Sequence, residues 1–356
     1  MNLIKIIFYF FLLFFSSTNI YATNFNLIEI VNLNTPWGMT FIDKDQLMIS
    51  EKNGKIKLLK ISTNEMIEIK HNLNISSIGQ GGLLDILYKD SKIWVSYVEI
   101  RKNYKTSTSI AIGTLNNKAI IFKNIFQAEP PIKSSYHFGS RIVIKDNYLF
   151  ASIGERGLGM IAQDPTKHPG SIIRIHLDGS IPIDNPKFIK NTGWAEEIYQ
   201  IGVRNPQGLT LSPFDSTIYL SNHGAKGGDW FGIVDIGTNY GWPLLGWGGT
   251  NYSGSIIGPK WQKGFIKAIY YWVPSIATSS IVIYKGKEFK EWNGHALITS
   301  LKDQSLRKLD FKDRENIKEN TIFTDKIGRI RDIIVNPTDG KIFLLTTNKL
   351  WLMEKK

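Results

Sequence analysis

The chain of 356 residues contains no cysteine. Without cysteine it can form no disulfide bond, and it can offer no thiolate to a metal ion. Cysteine nucleophiles and redox-active dithiols are excluded for the same reason. The fold must therefore be stabilised without covalent cross-links, whatever compartment the protein occupies.

Long apolar runs are absent after the first 22 residues. That first segment has Lys5, an apolar stretch over residues 6–15, and small or polar residues up to Ala22. This order is typical of a secretory signal peptide, although an uncleaved anchor helix is the alternative. We predict a signal peptide at residues 1–22 and a mature single domain at residues 23–356. The protein would then be periplasmic or secreted, with no stable membrane insertion after cleavage.

Blocks of like charge are also missing. The chain has 43 Lys and Arg against 31 Asp and Glu, a formal net charge of +12, but it has no run of five basic residues. None of the nucleic-acid-binding motifs is present, so we predict no nucleic-acid partner. The basic excess reflects either the Lys-rich background composition or an anionic ligand.

The sequence carries none of the short motifs that identify common enzyme classes. It has no HExxH, no GxSxG, no Walker loop and no GxGxxG after a predicted strand. Residues 154–159 are interpreted only as a glycine-rich turn. A functional site must therefore be sought in residues that the fold brings together.

What the sequence does contain is one short pattern repeated six times. In each copy an apolar run is followed by a turn of Gly, Asp or Asn and then by a second apolar run. The first runs start at residues 37, 82, 141, 208, 280 and 332. Such spacing matches one four-stranded propeller blade with loops of variable length. We therefore predict an all-β fold, a six-bladed β-propeller.

Two further segments refine this architecture. The apolar run at residues 349–353 is expected to complete the blade begun by residues 25–31, which would remove an exposed strand edge. Residues 224–264 are rich in Gly and Trp and poor in alternation. We interpret them as a long functional loop that contributes walls to a binding pocket.

Residues just before the first strand of a copy are the functional candidates, because a propeller brings these positions to one mouth of its axial channel. His137 can act as a general base near neutral pH, or it can merely cap a loop. Arg204, followed by Asn205, can bind a carboxylate in bidentate fashion or pair with an acid of a neighbouring blade. Gln80 precedes the second copy.

Cations dominate this predicted mouth. Arg329 and Arg331 flank Ile330, so an extended backbone points both to one side, where they repel each other unless an anion lies between them. Lys302 is a further candidate, with a solvated surface position as the alternative. Four basic residues at one mouth fit a planar polycarboxylate better than a neutral sugar alone. This pattern indicates a cofactor.

These residues resemble those of the soluble pyrroloquinoline quinone (PQQ) dependent sugar dehydrogenases, the glucose/sorbosone dehydrogenase family that includes periplasmic aldose sugar dehydrogenases. The resemblance extends from Thr35 to Gly340. It is carried by six segments in matching order: residues 79–84 (GQGGLL), 137–141 (HFGSR), 202–208 (GVRNPQG), 239–243 (NYGWP), 300–302 (SLK) and 328–332 (GRIRD). Each segment alone is weakly specific, and the ordered set is strongly so.

The resemblance implies an enzyme that oxidises aldose sugars at the anomeric carbon to lactones, with hydride transfer to PQQ. It implies that His137 is the base that takes the proton of the anomeric hydroxyl. It also implies a set of side chains that hold the cofactor: Gln80, Arg204, Asn205, Lys302, Arg329 and Arg331. A Ca²⁺ ion would be held by backbone carbonyl oxygens, which suit this hard cation. The residues implied are Gly224, Ala225 and Tyr240.

The sequence departs from the family pattern at three positions. Ala225 replaces a common proline but keeps its carbonyl group. Trp230 stands where relatives have a glutamate that binds calcium together with the carbonyl matching Tyr240, so a second calcium site does not follow from the resemblance. Tyr136 stands where some glucose dehydrogenases have aspartate, so strict glucose specificity does not follow either. The short loops favour the aldose-type branch.

Two other functions stay open on the sequence alone. A calcium-dependent lactonase would hold an axial metal with Glu, Asn and Asp side chains, whereas this mouth offers mainly cations. A periplasmic propeller that binds a ligand or partner could have kept the fold and lost the cofactor chemistry, as the Trp230 departure would allow. The sequence names neither the sugar nor the electron acceptor, and it is compatible with a monomer or a homodimer.

Overall fold

The computed structural model of the chain describes residues 25–190 and 193–356, so the predicted signal peptide lies outside the described residues. In chain order the strands are β1 (Phe25–Asn32), β2 (Pro36–Phe41), β3 (Gln46–Glu51), β4 (Ile56–Lys60), β5 (Glu65–His71), β6 (Leu83–Lys89), β7 (Lys92–Ile100), β8 (Thr106–Gly113), β9 (Leu115–Asn116), β10 (Ala119–Ile120), β11 (Lys123–Gln127), β12 (Gly139–Lys145), β13 (Tyr148–Ile153), β14 (Ser171–His176), β15 (Ile198–Ile201), β16 (Asn205–Leu211), β17 (Ile218–His223), β18 (Asp229–Ile233), β19 (Tyr270–Trp272), β20 (Thr278–Ile283), β21 (Ala296–Ser300), β22 (Ser305–Asp310), β23 (Lys318–Thr324), β24 (Ile330–Val335), β25 (Ile342–Thr346) and β26 (Lys349–Lys355). The helical elements are α1 (Pro186–Lys190) and short 3-10 turns at Lys102–Tyr104, Gly159–Gln163 and Lys290–Trp292.

The strands form six sheets, which are the blades of a six-bladed β-propeller, as predicted. In chain order the blades are blade 1 (β2-β3-β4-β5, extended by β10-β9), blade 2 (β6-β7-β8-β11), blade 3 (β12-β13-β14-β15), blade 4 (β16-β17-β18-β19), blade 5 (β20-β21-β22-β23) and blade 6 (β24-β25-β26-β1). The six sequence repeats are the first two strands of the six blades. The first strand of each blade is buried along most of its length, whereas outer strands such as β5 and β23 are largely exposed.

Blade 6 takes strands from both ends of the described chain. β1 pairs antiparallel with β26, so that Phe25 lies opposite Lys355 and Ile28 lies opposite Leu352. The pairing predicted for these two segments is therefore confirmed. It closes the ring of blades, because the pair joins the N-terminal strand to the C-terminal sheet.

The hydrophobic core is divided into clusters that lie between neighbouring blades. One cluster joins Met48 and Ile69 of blade 1 to Ile86 and Val95 of blade 2. Equivalent clusters fill the other interfaces, including the one where Phe343 of blade 6 packs with residues of blade 1. Each blade is thus held by two apolar interfaces, which fixes the starts of the inner strands around the axis.

Each inner strand carries a β-bulge near its start, where its register against the second strand shifts. In four blades the backbone N–H at the bulge donates to a hydroxyl of the second strand, at 3.0 Å in each case; the pairs are Gly38 with Ser50, Asp85 with Ser96, Arg141 with Ser152 and Ser280 with Thr299. Bulges re-aim side chains and are frequent beside functional sites. They place one residue per blade at an equivalent position, the axial ring: Gly38, Asp85, Arg141, Gly208, Ser280 and Asp332.

The interpretation of residues 224–264 as one long loop is partly wrong. Asp229–Ile233 is β18, which pairs with β17 and β19 inside blade 4. The sequence pattern does not predict this strand, because Trp230 and Phe231 are both buried and apolar and polar residues therefore do not alternate. Among the described residues, no helix has the length and apolar character needed to cross a membrane.

Candidate active site

The starts of the six inner strands surround a cavity of about 280 Å³, which we call the inner cavity. It is lined by six of the residues selected from the sequence: Gln80, His137, Arg204, Asn205, Arg329 and Arg331. It is also lined by side chains that the sequence analysis did not select, including Trp37, Lys52, Gln207, His223 and Tyr252. The structure thus brings most of the predicted residues to one mouth, while their roles stay predictions.

The inner cavity is strongly cationic. Its basic side chains are Lys52, Arg204, Arg329 and Arg331, and no Asp or Glu lines it among the residues that the structure describes. Burial lowers the pKa of Arg331 to about 10, and the charges of Arg141 and Arg329 act in the same direction. Burial also lowers the pKa of Arg204 and of Lys52. An anion that entered between these cations would stabilise their charged forms.

Two buried polar atoms of residues that line the inner cavity have no hydrogen-bond partner, namely Nε of Arg204 and Nε2 of His223. Burial lowers the pKa of His223 to about 3, and the charges of Arg204 and Arg331 add to this effect. The His223 imidazole is therefore neutral at physiological pH. Buried polar atoms without partners destabilise a protein, and a ligand that bonds to them would remove that cost.

Lys302 does not line the inner cavity. Its side chain is exposed, and its Nζ donates a 3.0 Å hydrogen bond to the carbonyl oxygen of Ser275. The neighbouring Leu301 forms that part of the wall instead. The surface position considered from the sequence describes Lys302 here, and a role for it in cofactor binding stays a prediction.

His137 and Glu155 form a hydrogen-bonded pair at the edge of the inner cavity. Nδ1 of His137 lies 2.5 Å from Oε1 of Glu155, and Oε2 of Glu155 accepts a hydrogen bond from Gly159 N at 2.8 Å. Nδ1 therefore carries the proton, which leaves Nε2 with a lone pair. Burial lowers the pKa of His137 below 6.5; Glu155 opposes this shift and Arg204 adds to it. The imidazole is thus neutral and basic at neutral pH.

The loop that carries His137 is fixed from several directions. His137 has a positive φ of 50°, and its backbone N–H donates to Oε1 of Gln80 at 2.9 Å. The Arg156 guanidinium donates to the carbonyl oxygens of Tyr136, Thr106 and Ser134, and it stacks on the ring of Phe138 at 3.8 Å. Residues 154–159, interpreted from the sequence only as a turn, therefore position the histidine through Glu155 and Arg156.

A second cavity of about 450 Å³, the outer cavity, adjoins the first. The two share three lining residues: His137, Arg204 and Tyr252. Much of the remaining wall comes from the segment predicted to form pocket walls, including Ala225, Trp242, Pro243 and residues 256–258. A molecule in the outer cavity and a ligand in the inner one would therefore both lie next to His137.

The three residues implied as calcium ligands have different surroundings. Ala225 lines the outer cavity, whereas Gly224 and Tyr240 line neither cavity. Their carbonyl oxygens accept no hydrogen bond within the described part of the chain. The Asp229 carboxylate accepts from Gly224 N at 2.7 Å and also from Ser275 and Thr278, so it is already bonded. Carbonyl oxygens are thus the oxygen ligands that this loop has to offer.

Trp230 lies next to Tyr240 and offers no oxygen atom of its side chain to a metal ion. Its ring stacks on that of Tyr240, with centroids 3.9 Å apart, and both side chains are buried in the core between blades 3 and 4. The Tyr240 hydroxyl bonds to the backbone of Ile233. Across the described ranges, no group of three His, Asp or Glu side chains is arranged to hold a metal ion.

Sequence reasoning missed Glu155 and His223 for different reasons. Glu155 lies two residues after the end of β13 and does not precede the first strand of a repeat, so the repeat pattern does not select it. His223 ends β17, opposite Asn205, and only strand register reveals that pairing. The sequence signal that could have indicated His223 is its position directly before the glycine-rich loop that begins at Gly224.

Comparisons with known proteins agree with this geometry. The sequence model of the family described as Glucose / Sorbosone dehydrogenase matches residues 33–351. Aldose sugar dehydrogenase YliI of Escherichia coli (strain K12) is 34% identical over 329 residues, covering 88% of this chain and 87% of the relative. The solved apo-form of the soluble aldose sugar dehydrogenase from Escherichia coli superposes with a TM-score of 0.87 at 31% identity, covering 93% of this chain and 100% of that one. The PQQ-bound form of an aldose sugar dehydrogenase from Streptomyces coelicolor has the same fold, with a TM-score of 0.76 at 20% identity over 94% of this chain and 99% of that one. The chain belongs to the glucose/sorbosone dehydrogenase family.

Proposed function

We propose that this protein is a PQQ-dependent aldose sugar dehydrogenase that oxidises the anomeric carbon of an aldose to a lactone. The observation that carries the proposal is the junction of two cavities at one histidine. The inner cavity is cationic and free of carboxylates in the described chain, whereas the outer cavity has a mixed lining of polar and apolar side chains and reaches the same His137. The two spaces suit an anionic cofactor and a sugar, respectively.

The inner cavity fits a planar tricarboxylate such as PQQ. Arg204, Arg329 and Arg331 would hold its carboxylates, and Lys52 would add a fourth charge. Gln80, Asn205 and His223 offer neutral polar groups to its remaining oxygens. When bound, PQQ supplies the quinone that accepts the hydride from the sugar. The PQQ-bound state of the Streptomyces relative supports this choice of cofactor.

His137 would act as the general base. Its Nε2 would accept the proton of the anomeric hydroxyl as the C1 hydrogen leaves with its electron pair to the cofactor, so that the lactone, a histidinium and a cofactor reduced by two electrons balance the step. Glu155 holds the imidazole in the tautomer that leaves Nε2 free, and its charge stabilises the histidinium. The Gln80 and Arg156 contacts keep the loop in place during the proton transfer.

Calcium is part of the proposal. The carbonyl oxygens of Gly224 and Ala225 would hold one Ca²⁺ ion together with water and the cofactor, and the ion would polarise the quinone. A second ion at Tyr240 would need ligands other than a side chain at position 230, because Trp230 is an apolar residue packed in the core. We therefore expect one Ca²⁺ ion per chain. The physiological site of action would be the periplasm or the exterior.

The test is a titration of the apo protein with PQQ and Ca²⁺, followed by addition of a panel of aldoses with an artificial electron acceptor. We expect stoichiometric PQQ binding, reduction of the quinone on sugar addition, and lactone as product. In His137→Ala, PQQ should still bind while sugar-dependent reduction falls by about 10²-fold or more. Failure of the wild-type protein to bind PQQ would overturn the proposal and favour a binding propeller without redox chemistry.

A further inference from the structure

The axial ring is a set of unlike residues at structurally equivalent positions. Three carry charge, Asp85, Arg141 and Asp332, and three are small, Gly38, Gly208 and Ser280. Gly38 leaves room for a charged neighbour, because a Cβ atom there would lie 2.7 Å from Oδ1 of Asp85. The ring is thus built around one central side chain.

Arg141 is that side chain. Its guanidinium donates to Oδ1 of Asp85 at 2.9 Å, lies 2.9 Å from Oδ1 of Asp332, and stacks over the Trp37 ring at 4.3 Å. Its Nε donates to the carbonyl oxygen of Gln207 at 2.9 Å. One residue of blade 3 thereby contacts blades 1, 2, 4 and 6 on the axis, and it is 4% exposed.

The ring separates the inner cavity from a third cavity of about 350 Å³ on its other side, the lower cavity. Asp85, Arg141 and Asp332 line the lower cavity, together with mainly apolar residues of the inner strands. The preceding residues in the chain line the inner cavity instead, among them Trp37 and Arg331. The alternation of an extended strand accounts for this change of side.

Arg141 is connected to a cofactor-site cation by a closed circuit of hydrogen bonds. Its Nη2 donates to the carbonyl oxygen of Arg331 at 3.2 Å, and Nη1 of Arg331 donates to Oε1 of Gln207 at 3.0 Å. The bond from Arg141 Nε to the Gln207 carbonyl completes the circuit. Both partners therefore have their backbones fixed by the same guanidinium, and their side chains fixed by each other.

We propose that Arg141 is a positioning residue of the cofactor site, which lies in the axial ring next to the inner cavity and holds Arg331 and Gln207 in the arrangement that binds the cofactor. This inference rests on the proposed PQQ-dependent function. Lysine cannot replace Arg141 in this role, because an ammonium group has neither the fork nor the plane needed to reach four blades at once.

The test measures PQQ affinity of purified apo protein by titration, with thermal unfolding and sugar KM at saturating PQQ as companion readouts. Arg141→Lys should raise the Kd for PQQ by about tenfold or more while leaving the sugar KM within about twofold. In the Arg331→Gln background, Arg141→Lys should add little further loss, because its effect passes through Arg331. Full additivity of the two losses would contradict the proposal.

Arg174→Lys is the matched control. Arg174 is likewise buried in blade 3, with Nε bonded to Asn185 at 2.7 Å and the guanidinium stacked near Tyr148 and Tyr199, but it lines neither cavity of the site. The Arg174→Lys substitution should lower the melting temperature and leave the PQQ affinity unchanged. An equal loss of PQQ affinity in both variants would contradict the proposal, because it would show that Arg141 affects binding only through the stability of the fold. Absence of PQQ binding by the wild type would instead overturn the proposed function.

Discussion

At the residue scale, the proposed chemistry depends on the His137 imidazole, which must be neutral and held in a fixed orientation. Burial lowers the pKa of His137, and Glu155 limits how far it falls. Burial is the largest single influence on the pKa of Glu155 and raises it. The hydrogen bonds with His137 and Gly159 and the charge of Arg204 together outweigh burial, so the pKa is lowered and the carboxylate stays ionised. The pair therefore provides a free Nε2 and a fixed negative charge behind it across the neutral pH range.

The pH profile of the reaction tests this pair. Because a base acts in its deprotonated form, kcat/KM should rise with pH through the His137 pKa, which lies below 6.5, and be level at pH 7. In Glu155→Gln the inflection should move to lower pH, since the group that raises the His137 pKa is lost. The plateau should fall by roughly 10²-fold because the histidinium is no longer stabilised. An unchanged plateau in steady-state kinetics would contradict the role given to Glu155.

The element that presents His137 is a short loop, and its conformation depends on Arg156. Arg156 bonds to three carbonyl oxygens of residues 106, 134 and 136, and burial lowers its pKa to about 10. The Tyr136 carbonyl has Arg156 as its partner, whereas the carbonyl of Thr106 also accepts from the Ile132 N–H and that of Ser134 also accepts from the Thr106 hydroxyl. The loop is thus ordered by a side chain from the following turn.

Arg156→Met should remove these bonds while keeping an apolar stem over Phe138. We expect a loss of about 2–4 kcal/mol in the free energy of unfolding, because the Tyr136 carbonyl loses its partner and the carbonyls of Thr106 and Ser134 each lose one of two. The turnover number should fall as well, since His137 is no longer held. Urea denaturation and steady-state kinetics measure both effects. Arg101→Met, which removes a pair with the half-exposed Glu129, is the control and should change stability by less than about 1 kcal/mol.

At the scale of strands and loops, the sequence predicts the repeated inner strands well, but it predicts only part of the candidate site. Alternating apolar runs identify inner strands, because their burial follows from the period of a strand. Residues at a strand entrance, such as Arg204 and Arg331, could be located from the repeat alone. Glu155 and His223 could not, because their proximity to the axis depends on strand register and loop path. Lys302 is a different case, since its position before a turn does not determine where the side chain points; the side chain is exposed, and its role in cofactor binding stays a prediction.

At the scale of the whole molecule, the apo protein concentrates four cations in one small space. Repulsion among these four positive charges lowers the stability of the folded protein. A bound anion would reduce the repulsion, so ligand binding should raise the stability. The fold tolerates the concentration because blade interfaces, rather than the axis, provide the apolar core.

A planar tricarboxylate without redox activity, benzene-1,3,5-tricarboxylate, tests that linkage. At 100 times its Kd it should stabilise the apo protein by about 2.7 kcal/mol, which corresponds to roughly 4 °C in melting temperature. Differential scanning fluorimetry measures the shift. The double variant Arg329→Gln/Arg331→Gln should lose most of it. An equal shift in wild type and double variant would show that the anion binds elsewhere.

Ring closure makes a second prediction at this scale. A chain that starts at Leu33 lacks β1, exposes the edge of β26 and loses the contact between Phe25 and Phe323. Its melting temperature should fall by at least roughly 10 °C, and size-exclusion chromatography should show association through the free edge. A chain that starts at Phe25 should match the full-length protein in both measurements.

The meeting of Phe25 and Lys355 in blade 6 also makes the protein a candidate for circular permutation. A short Gly/Ser connector could join the two ends, and new ends could be opened in the exposed stretch 312–316 between β22 and β23. Blade 6 would then be continuous along the chain, and closure of the ring would no longer require two distant segments to find each other during folding. Blade 5 would take over as the sheet assembled from both ends.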